Sequence, residues 1–146
     1  GGPAHPLLLL LAERHYSVAL VDPWMLRVVD LPAALEQRGW PAGVRAELRL
    51  ELSDDVLPEN AGRWRLSVAE GSARVARLAP GAPSAARGSP APPVLRLDVR
   101  GLAALYSGHL SPGLLQQAGL LDGDAAALEL AAALFAGPAP AMADMF

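Results

Sequence analysis

The sequence predicts an α+β domain, built as a mostly antiparallel sheet with helices packed on one side. Three segments between residues 44 and 78 alternate apolar and polar side chains, as strands with one buried face do. Loop and turn residues separate them, which indicates consecutive antiparallel strands rather than a βαβ series. Helix-start signals then gather in the last third of the chain. Strands and helices are thus segregated along the sequence, as α+β layering requires.

Length and composition fit one domain spanning residues 1–146. A chain of 146 residues can bury about two-thirds of its unfolded surface, and its charged fraction of 18% is ordinary. The net charge of −3 gives no cationic field for nucleic acid or an anionic membrane, so we expect neither as a partner. The absence of cysteine excludes disulfides, thiolate metal sites and a cysteine nucleophile. The N-terminal apolar run, residues 7–12, is far shorter than the roughly 20 residues that span a bilayer, so we expect a cytoplasmic protein without a membrane span.

The first part of the chain predicts a lead-in segment and then a helix. Residues 7–14 suit a short helix or a buried lead-in, and periodicity alone does not choose between them. Residues 16–21 indicate a strand, and residues 24–29 continue as extended chain. Asp30 then offers a capping acceptor, and a proline follows within the first turn. This pairing predicts a helix over residues 33–38.

The clearest strand follows at residues 44–52, where every even-numbered residue is apolar and the residues between them are charged. One sheet face is therefore expected to be buried and the other to carry mixed charge. Residues 64–68 alternate in the same way. Glu70 and Gly71 then form a plausible tight turn into a third strand over residues 73–78.

The remaining sequence predicts a loop, a short strand and three helices. Residues 79–93 are rich in Pro, Gly, Ser and Ala, which indicates a flexible surface loop rather than a domain boundary. Residues 94–97 suit a short strand. The three helices begin at Asp98, Ser111 and Asp124, each of which can cap the backbone N–H groups of a first turn.

The candidate catalytic side chains do not assemble into a site. His5, His15 and His109 lack the spacing of metal ligands, so we expect no metal. Ser107 and His109 are too close in sequence to act as nucleophile and base, and no strand–turn–helix nucleophile elbow surrounds them. We therefore expect no hydrolase triad.

Two groups of residues leave alternatives open. Asp54 and Asp55 lie in an acidic loop that lacks the ligand spacing of a calcium site and is expected to be a solvated turn. Apolar side chains on two of the predicted helices are first of all core residues, although they could instead line a lipid cavity. The candidates for that cavity are Leu102, Leu105, Leu128 and Phe135.

An ordered series of short segments resembles one family. The segments are WMLRVVD at 24–30, AAL at 33–35 with Arg38, GRWRL at 62–66, LDV at 97–99, LAALY at 102–106 with Gly108, and a terminal Phe146. Together they resemble the C-terminal domain of the Eis-type (enhanced intracellular survival) GNAT N-acetyltransferases of actinobacteria and relatives, which has a sterol-carrier-protein-like fold. The run Tyr106-Ser107-Gly108-His109 departs from the family's leucine-glycine-glycine pattern.

The resemblance implies an accessory role with no activity for this chain alone. Two GNAT-like domains of the same chain would precede it, and the N-terminal one would hold the acetyl-CoA that acetylates amines of aminoglycosides or lysines. The full-length protein would form a homo-oligomer. The carboxylate of Phe146 would help to deprotonate the amine, which attacks only as the neutral base. Asp54 and Asp55 would attract a polycationic substrate. A sterol or lipid carrier module and a purely structural assembly domain are the alternatives.

No cofactor is expected in this chain itself. Gln116-Gln117-Ala118-Gly119 resembles the start of the acetyl-CoA pyrophosphate loop, but Leu121 occupies a position that needs a small residue. The segment also lies at the predicted end of a helix, where the dipole repels phosphate. An acetyl-CoA site is therefore expected only in the preceding domains.

Overall fold

The computed structural model describes residues 25–79, 81 and 90–137. In chain order the described elements are α1 (Leu31–Gln37), β1 (Ala46–Ser53), β2 (Gly62–Ala69), β3 (Ser72–Arg77), β4 (Val94–Asp98), α2 (Val99–Ser107), α3 (Pro112–Gln117), β5 (Leu121–Gly123) and α4 (Ala125–Leu134). This confirms the predicted α+β class. Five expectations lie outside the described residues: the segments 7–14 and 16–21, Trp24, most of the 79–93 loop, and Phe146.

The five strands form one mixed sheet in the order β3-β2-β1-β4-β5. Strands β1, β2 and β3 pair antiparallel as the predicted meander, and β5 pairs antiparallel with β4. The pairing of β1 with β4 is parallel, because β4 crosses to the free edge of β1 instead of continuing beyond β3. The sequence did not predict β5, which separates α3 from α4 in the expected run of consecutive helices.

The predicted tight turn joins β2 to β3. Its two central residues both have positive φ, 55° at Glu70 and 77° at Gly71, and the flanking Ala69 and Ser72 are paired. A two-residue turn of this hand matches the right-handed twist of the strands. Glycine is suited to the second position because it has no Cβ to clash in this conformation.

The even-numbered side chains of β1 form the buried face. Leu48, Leu50 and Leu52 are at most 5% exposed. They belong to one hydrophobic core with residues of every described helix: Leu31, Leu35, Leu102, Leu105, Leu115, Ala127, Ala131 and Leu134. Because all four helices join the same core, they lie on one side of the sheet, as predicted.

The odd-numbered side chains of β1 point to the opposite face. Here Glu51, Arg96 and Asp122 form a row across β1, β4 and β5, with Arg96 bonded to Glu51 at 2.9 Å and to Asp122 at 3.2 Å. The hydrogen bonds from Arg96, to Asp122 first and then Glu51, raise its pKa above the usual value. The mixed charge predicted for this face is confirmed, although Arg49 at its centre is only 8% exposed.

Side chains cap the start of every described helix. Asp30, Asp98, Ser111 and Asp124 each accept a hydrogen bond from the backbone N–H three residues ahead. All four caps were predicted from sequence. Each such cap contributes about 1 kcal/mol to helix stability.

Candidate functional site

The C-terminal ends of α1 and α4 meet near the last described residue, Gly137. The carbonyl oxygens in the last turn of a helix have no partner within the helix and need donors from elsewhere. At the end of α1, Trp40 Nε1 donates to Leu35 O at 2.8 Å and the Tyr106 hydroxyl donates to Ala34 O at 3.3 Å. Side chains from outside the helix therefore satisfy the last turn of α1.

Arg38 satisfies carbonyl groups at the end of α4. Its two terminal nitrogens donate to Leu134 O at 3.3 Å and to Phe135 O at 3.4 Å. A cation at this position also interacts favourably with the negative end of the helix dipole. Arg38 thus joins the end of α1, where it is the C-cap residue, to the end of α4.

Three aromatic rings surround the Arg38 guanidinium. Its Cζ lies 5.0 Å from the ring centroid of Trp40, 5.0 Å from that of Phe135 and 5.7 Å from that of Tyr106, all within the range of cation–π attraction. Trp40 and Phe135 also meet edge to face at 5.2 Å. Burial lowers the pKa of Arg38, and the interaction with Tyr106 opposes this change. We call Arg38, Trp40, Tyr106 and Phe135 the Arg38 cluster.

A small pocket adjoins the Arg38 cluster at the start of the C-terminal tail, residues 138–146. It has a volume of about 160 Å³ and is lined by residues that include Leu105, Leu110, Pro112, Phe135 and Gly137. Pockets for drug-sized ligands have volumes of about 300 Å³ or more. This pocket is therefore too small for such a ligand.

The predicted lipid-cavity residues lie together in the packed core. Leu102, Leu105 and Phe135 are at most 4% exposed, and Leu128 packs against them half-buried. A second pocket, of about 400 Å³, lies at the edge formed by β4 and β5. Its lining includes the polar side chains of Arg96, Asp98, Gln116 and Asp122. None of the four proposed lipid-lining residues contributes to it.

The two aspartates of the acidic loop lie in different environments. The Asp54 side chain has no exposed surface and forms an ion pair with Arg27. It also accepts the backbone N–H groups of Val56 and Leu57, both at 3.0 Å. Desolvation raises the pKa of Asp54, but these hydrogen bonds, with those from Asn60 and the charge of Arg27, outweigh it and lower the pKa to about 2.

Asp55 is open to solvent. Its side chain is 72% exposed and lies 4.0 Å from the exposed guanidinium of Arg100. Of the two predicted substrate-binding aspartates, Asp55 is thus the one whose carboxylate is accessible to a soluble ligand.

Asn60 is a structural centre that sequence reasoning missed. It is 2% exposed, and its Oδ1 accepts the N–H of Leu31 at 3.1 Å. Its Nδ2 donates to Val28 O, Val29 O and Asp54 Oδ2 over 3.1–3.3 Å. The amide thereby ties the chain before α1 to the acidic loop. Nothing in the local sequence distinguishes it from an ordinary loop asparagine.

Across residues 25–79, 81 and 90–137, no group of three or more His, Asp or Glu side chains is placed to hold a metal ion. His109 lies within this part of the chain, whereas His5 and His15 lie outside it. In the same residues, no helix combines the length and apolarity needed to cross a membrane.

Comparison with known proteins gives a consistent pattern. A family model described as the sterol carrier protein domain matches residues 31–143. A GCN5-related N-acetyltransferase from Anabaena variabilis is 40% identical over 96% of this chain and 33% of its own, with a TM-score of 0.82. A GCN5-related N-acetyltransferase from Kribbella flavida is 37% identical over 99% of this chain and 34% of its own, with a TM-score of 0.79.

A further solved structure, Eis1 from Mycobacterium abscessus, is 29% identical over 77% of this chain and 25% of its own, with a TM-score of 0.56. This chain therefore spans about a third or less of the length of the structures it resembles. No curated protein matches the sequence.

Proposed function

We propose that this chain, which belongs to the sterol carrier protein domain family, is the C-terminal accessory domain of a larger GCN5-related N-acetyltransferase of the Eis type. The supporting observation is its identity of 40% and 37% to two GCN5-related N-acetyltransferases, over almost all of this chain and one third of theirs. In this proposal, acetyl-CoA binds to the preceding GNAT domains. The full-length enzyme acts in the cytoplasm. This chain alone has no acetyltransferase activity.

The proposed contribution to the reaction is a base. The amine of an aminoglycoside or a lysine attacks the thioester carbonyl of acetyl-CoA, and the coenzyme A thiolate leaves. The attacking nitrogen must be unprotonated, so a carboxylate that removes its proton, directly or through water, accelerates the step. We assign this role to the α-carboxylate of Phe146. The segment from Gly137 to Phe146 can reach at most about 30 Å, which is enough to extend into a neighbouring domain.

The exposed carboxylate of Asp55 supports a second role, in attracting a cationic substrate. Its side chain is 72% exposed, whereas Asp54 is occupied by Arg27 and backbone N–H groups. We therefore assign long-range attraction to Asp55. A surface charge of this kind acts mainly on association rate, and its effect weakens as salt is added.

Exposed apolar side chains on this loop and on the segment before α1 support assembly with GNAT domains or with further copies. Val29 and Val56 are 65% and 63% exposed, and Met25 is 98% exposed. The ion pair between Arg27 and Asp54 links the segment before α1, which contains Met25 and Val29, to the loop that contains Val56. Neighbouring exposed apolar side chains often mark contact surfaces. Sedimentation of the full-length protein with Val29 and Val56 replaced by serine should reveal a smaller oligomer.

The decisive test moves the terminal carboxylate in the full-length enzyme. Deleting Phe146 displaces the carboxylate by one residue, whereas Phe146→Leu keeps it in place. We expect deletion to lower kcat for an amine substrate by about 10²-fold, the scale of general-base catalysis, and the leucine variant to retain most of the activity. Equal, unimpaired turnover in both variants would refute the role of Phe146.

A lipid carrier is the second candidate, favoured by membership of the sterol carrier protein domain family. Fold relationships alone are weak evidence for function, and the pocket next to Leu105 and Phe135 holds only about 160 Å³. Native mass spectrometry before and after denaturation separates the two functions. A stoichiometric apolar ligand released on denaturation would favour the carrier, and a ligand-free domain would favour the accessory role.

A further inference from the structure

We propose that Arg38 is a positioning residue that fixes the end of α4, after which the C-terminal tail begins. The inference rests on the proposed function, because it concerns how the Phe146 carboxylate is delivered. Arg38 itself touches neither substrate nor the reacting atoms in this proposal. It acts on the last turn of α4, from which the tail departs.

Arg38 holds the last turn of α4 through hydrogen bonds. Its guanidinium binds Leu134 O and Phe135 O, which lie three and two residues before Gly137. α4 ends at Leu134, with Phe135 as its C-cap residue. The two carbonyls held by Arg38 are therefore the last fixed points of the helix before the tail begins.

Several structural elements meet at the Arg38 side chain. The rings around the guanidinium come from three places: Trp40 follows α1, Tyr106 belongs to α2, and Phe135 ends α4. The hydroxyl of Tyr106 is in turn bonded to Ala34 O of α1. Arg38 thus fixes the end of α4 against two other helices, which limits rotation of that end.

Catalysis is also sensitive to small displacements of the reacting groups. A displacement of about 1 Å at a reacting group can lower a rate by about 10²-fold. A shift of this size at the end of α4, passed on to the terminal carboxylate, is therefore enough to slow the reaction even where the domain stays folded.

The chemistry of arginine suits this task. A planar guanidinium can donate to two carbonyl oxygens and stack on aromatic rings at the same time, whereas an ammonium is a compact point charge. Lysine at position 38 would keep the positive charge but not the forked geometry. Arg38→Lys is therefore expected to recover only part of the function lost in Arg38→Met.

The experiment uses the full-length enzyme and combines Arg38→Met with deletion of Phe146 in a double-mutant cycle. Arg38→Met should lower kcat by about 10- to 100-fold, with KM changed by less than about twofold, because the reacting groups are misplaced while binding is kept. In the enzyme that lacks Phe146, the same substitution should have almost no further effect. Arg45→Met, at an exposed ion pair with Glu70, is the control and should leave kcat unchanged.

Three outcomes distinguish failure of the proposed function from failure of the role assigned to Arg38. If deletion of Phe146 has no effect, the proposed function falls and this inference falls with it. If deletion is harmful and Arg38→Met is harmless, only the positioning role of Arg38 is wrong. An equal loss with and without Phe146 would show a general structural effect and would also overturn the inference.

A measurement on this chain alone adds a readout that does not require activity. Hydrogen exchange at the backbone N–H group of Phe135, which donates to Ala131 O at 2.8 Å, should accelerate in Arg38→Met, and less so in Arg38→Lys. Exchange in β1 should remain as in the parent, which would also show that the variants are folded. Unchanged exchange at Phe135 would contradict the proposal.

Discussion

The side-chain amide of Asn60 donates a hydrogen bond to the carboxylate of Asp54 over 3.2 Å. Each residue also holds the backbone of a different segment. Asn60 binds the chain at residues 28–31, and Asp54 binds the N–H groups of Val56 and Leu57. The pair therefore acts as one unit that joins the entry to α1 with the loop between β1 and β2.

Asp54→Asn should destabilise the domain at neutral pH. The pKa of Asp54 is about 2 in the folded protein, below the value of about 3.9 for a free aspartate. A lowered folded-state pKa stabilises the protein above the unfolded value, and this contribution is lost as pH falls through about 4 towards 2. Urea unfolding at pH 7 and pH 3 should show a larger difference between parent and variant at pH 7. Asp55→Asn, at an exposed side chain, should show little difference at either pH.

Asn60→Ala should be among the most destabilising substitutions in the loop. It removes the acceptor for the N–H of Leu31 and the donor to two backbone carbonyls, and buried groups left without partners cost about 1–3 kcal/mol each. We expect a loss of about 2–4 kcal/mol in urea unfolding, within the range for a broken buried network. Asn60→Asp keeps the acceptor but places a second carboxylate beside Asp54, so it should not rescue stability. A loss below 1 kcal/mol in either variant would contradict this account.

The helix caps and the Asn60 network show where sequence reasoning succeeds and where it ends. The caps at Asp30 and Asp98 were predictable because the acceptor and the N–H group it binds lie three residues apart. The contacts of Asn60 join residues that are 6 to 32 positions apart. No local pattern encodes such distances, so the residue looked like an ordinary loop asparagine.

The sheet also combines features that local sequence predicts with features that depend on distant parts of the chain. Alternation predicted β1 and its buried face, because side-chain direction along a strand is a local property. The parallel pairing of β1 with β4 was not predictable, since it depends on which sheet edge remains free after the meander has formed. The strand β5 has only 3 residues, too few for an alternating pattern. Its Asp122 and Gly123 are residue types that favour turns.

Gly101→Ala and Gly113→Ala form a matched pair in two helices. A Cβ at Gly101 would overlap Leu120 O, a backbone atom, whereas a Cβ at Gly113 would meet nothing within 4 Å. Alanine normally stabilises a helix relative to glycine by about 1 kcal/mol, so Gly113→Ala should be neutral or stabilising. Gly101→Ala should instead destabilise by about 1–3 kcal/mol because the contact forces a backbone shift. Thermal unfolding of both variants checks this, and similar effects would contradict the predicted close approach.

Trp40→Phe tests the donor that satisfies the end of α1. An aromatic ring is kept, but the hydrogen bond from Nε1 to Leu35 O is lost, which should cost about 1–2 kcal/mol because the carbonyl is buried. The smaller ring also leaves a cavity in the core, which adds to this loss. Tyr106→Phe removes the longer bond to Ala34 O and should cost less. Chemical denaturation of the two variants gives the order. A larger loss for Tyr106→Phe would reverse the ranking that the geometry supports.

The parallel contact between β1 and β4 also sets an order of events during folding. The pairs β1–β2 and β2–β3 join neighbours in sequence, whereas Ser53 meets Asp98 only after the chain has closed a long loop. Closing such a loop costs entropy before its contacts form, so non-local pairings form late. The three-stranded meander should therefore be protected from hydrogen exchange first in refolding. Protection of β4, β5 and the end of α4, where Arg38 binds, should follow only when that closure has taken place.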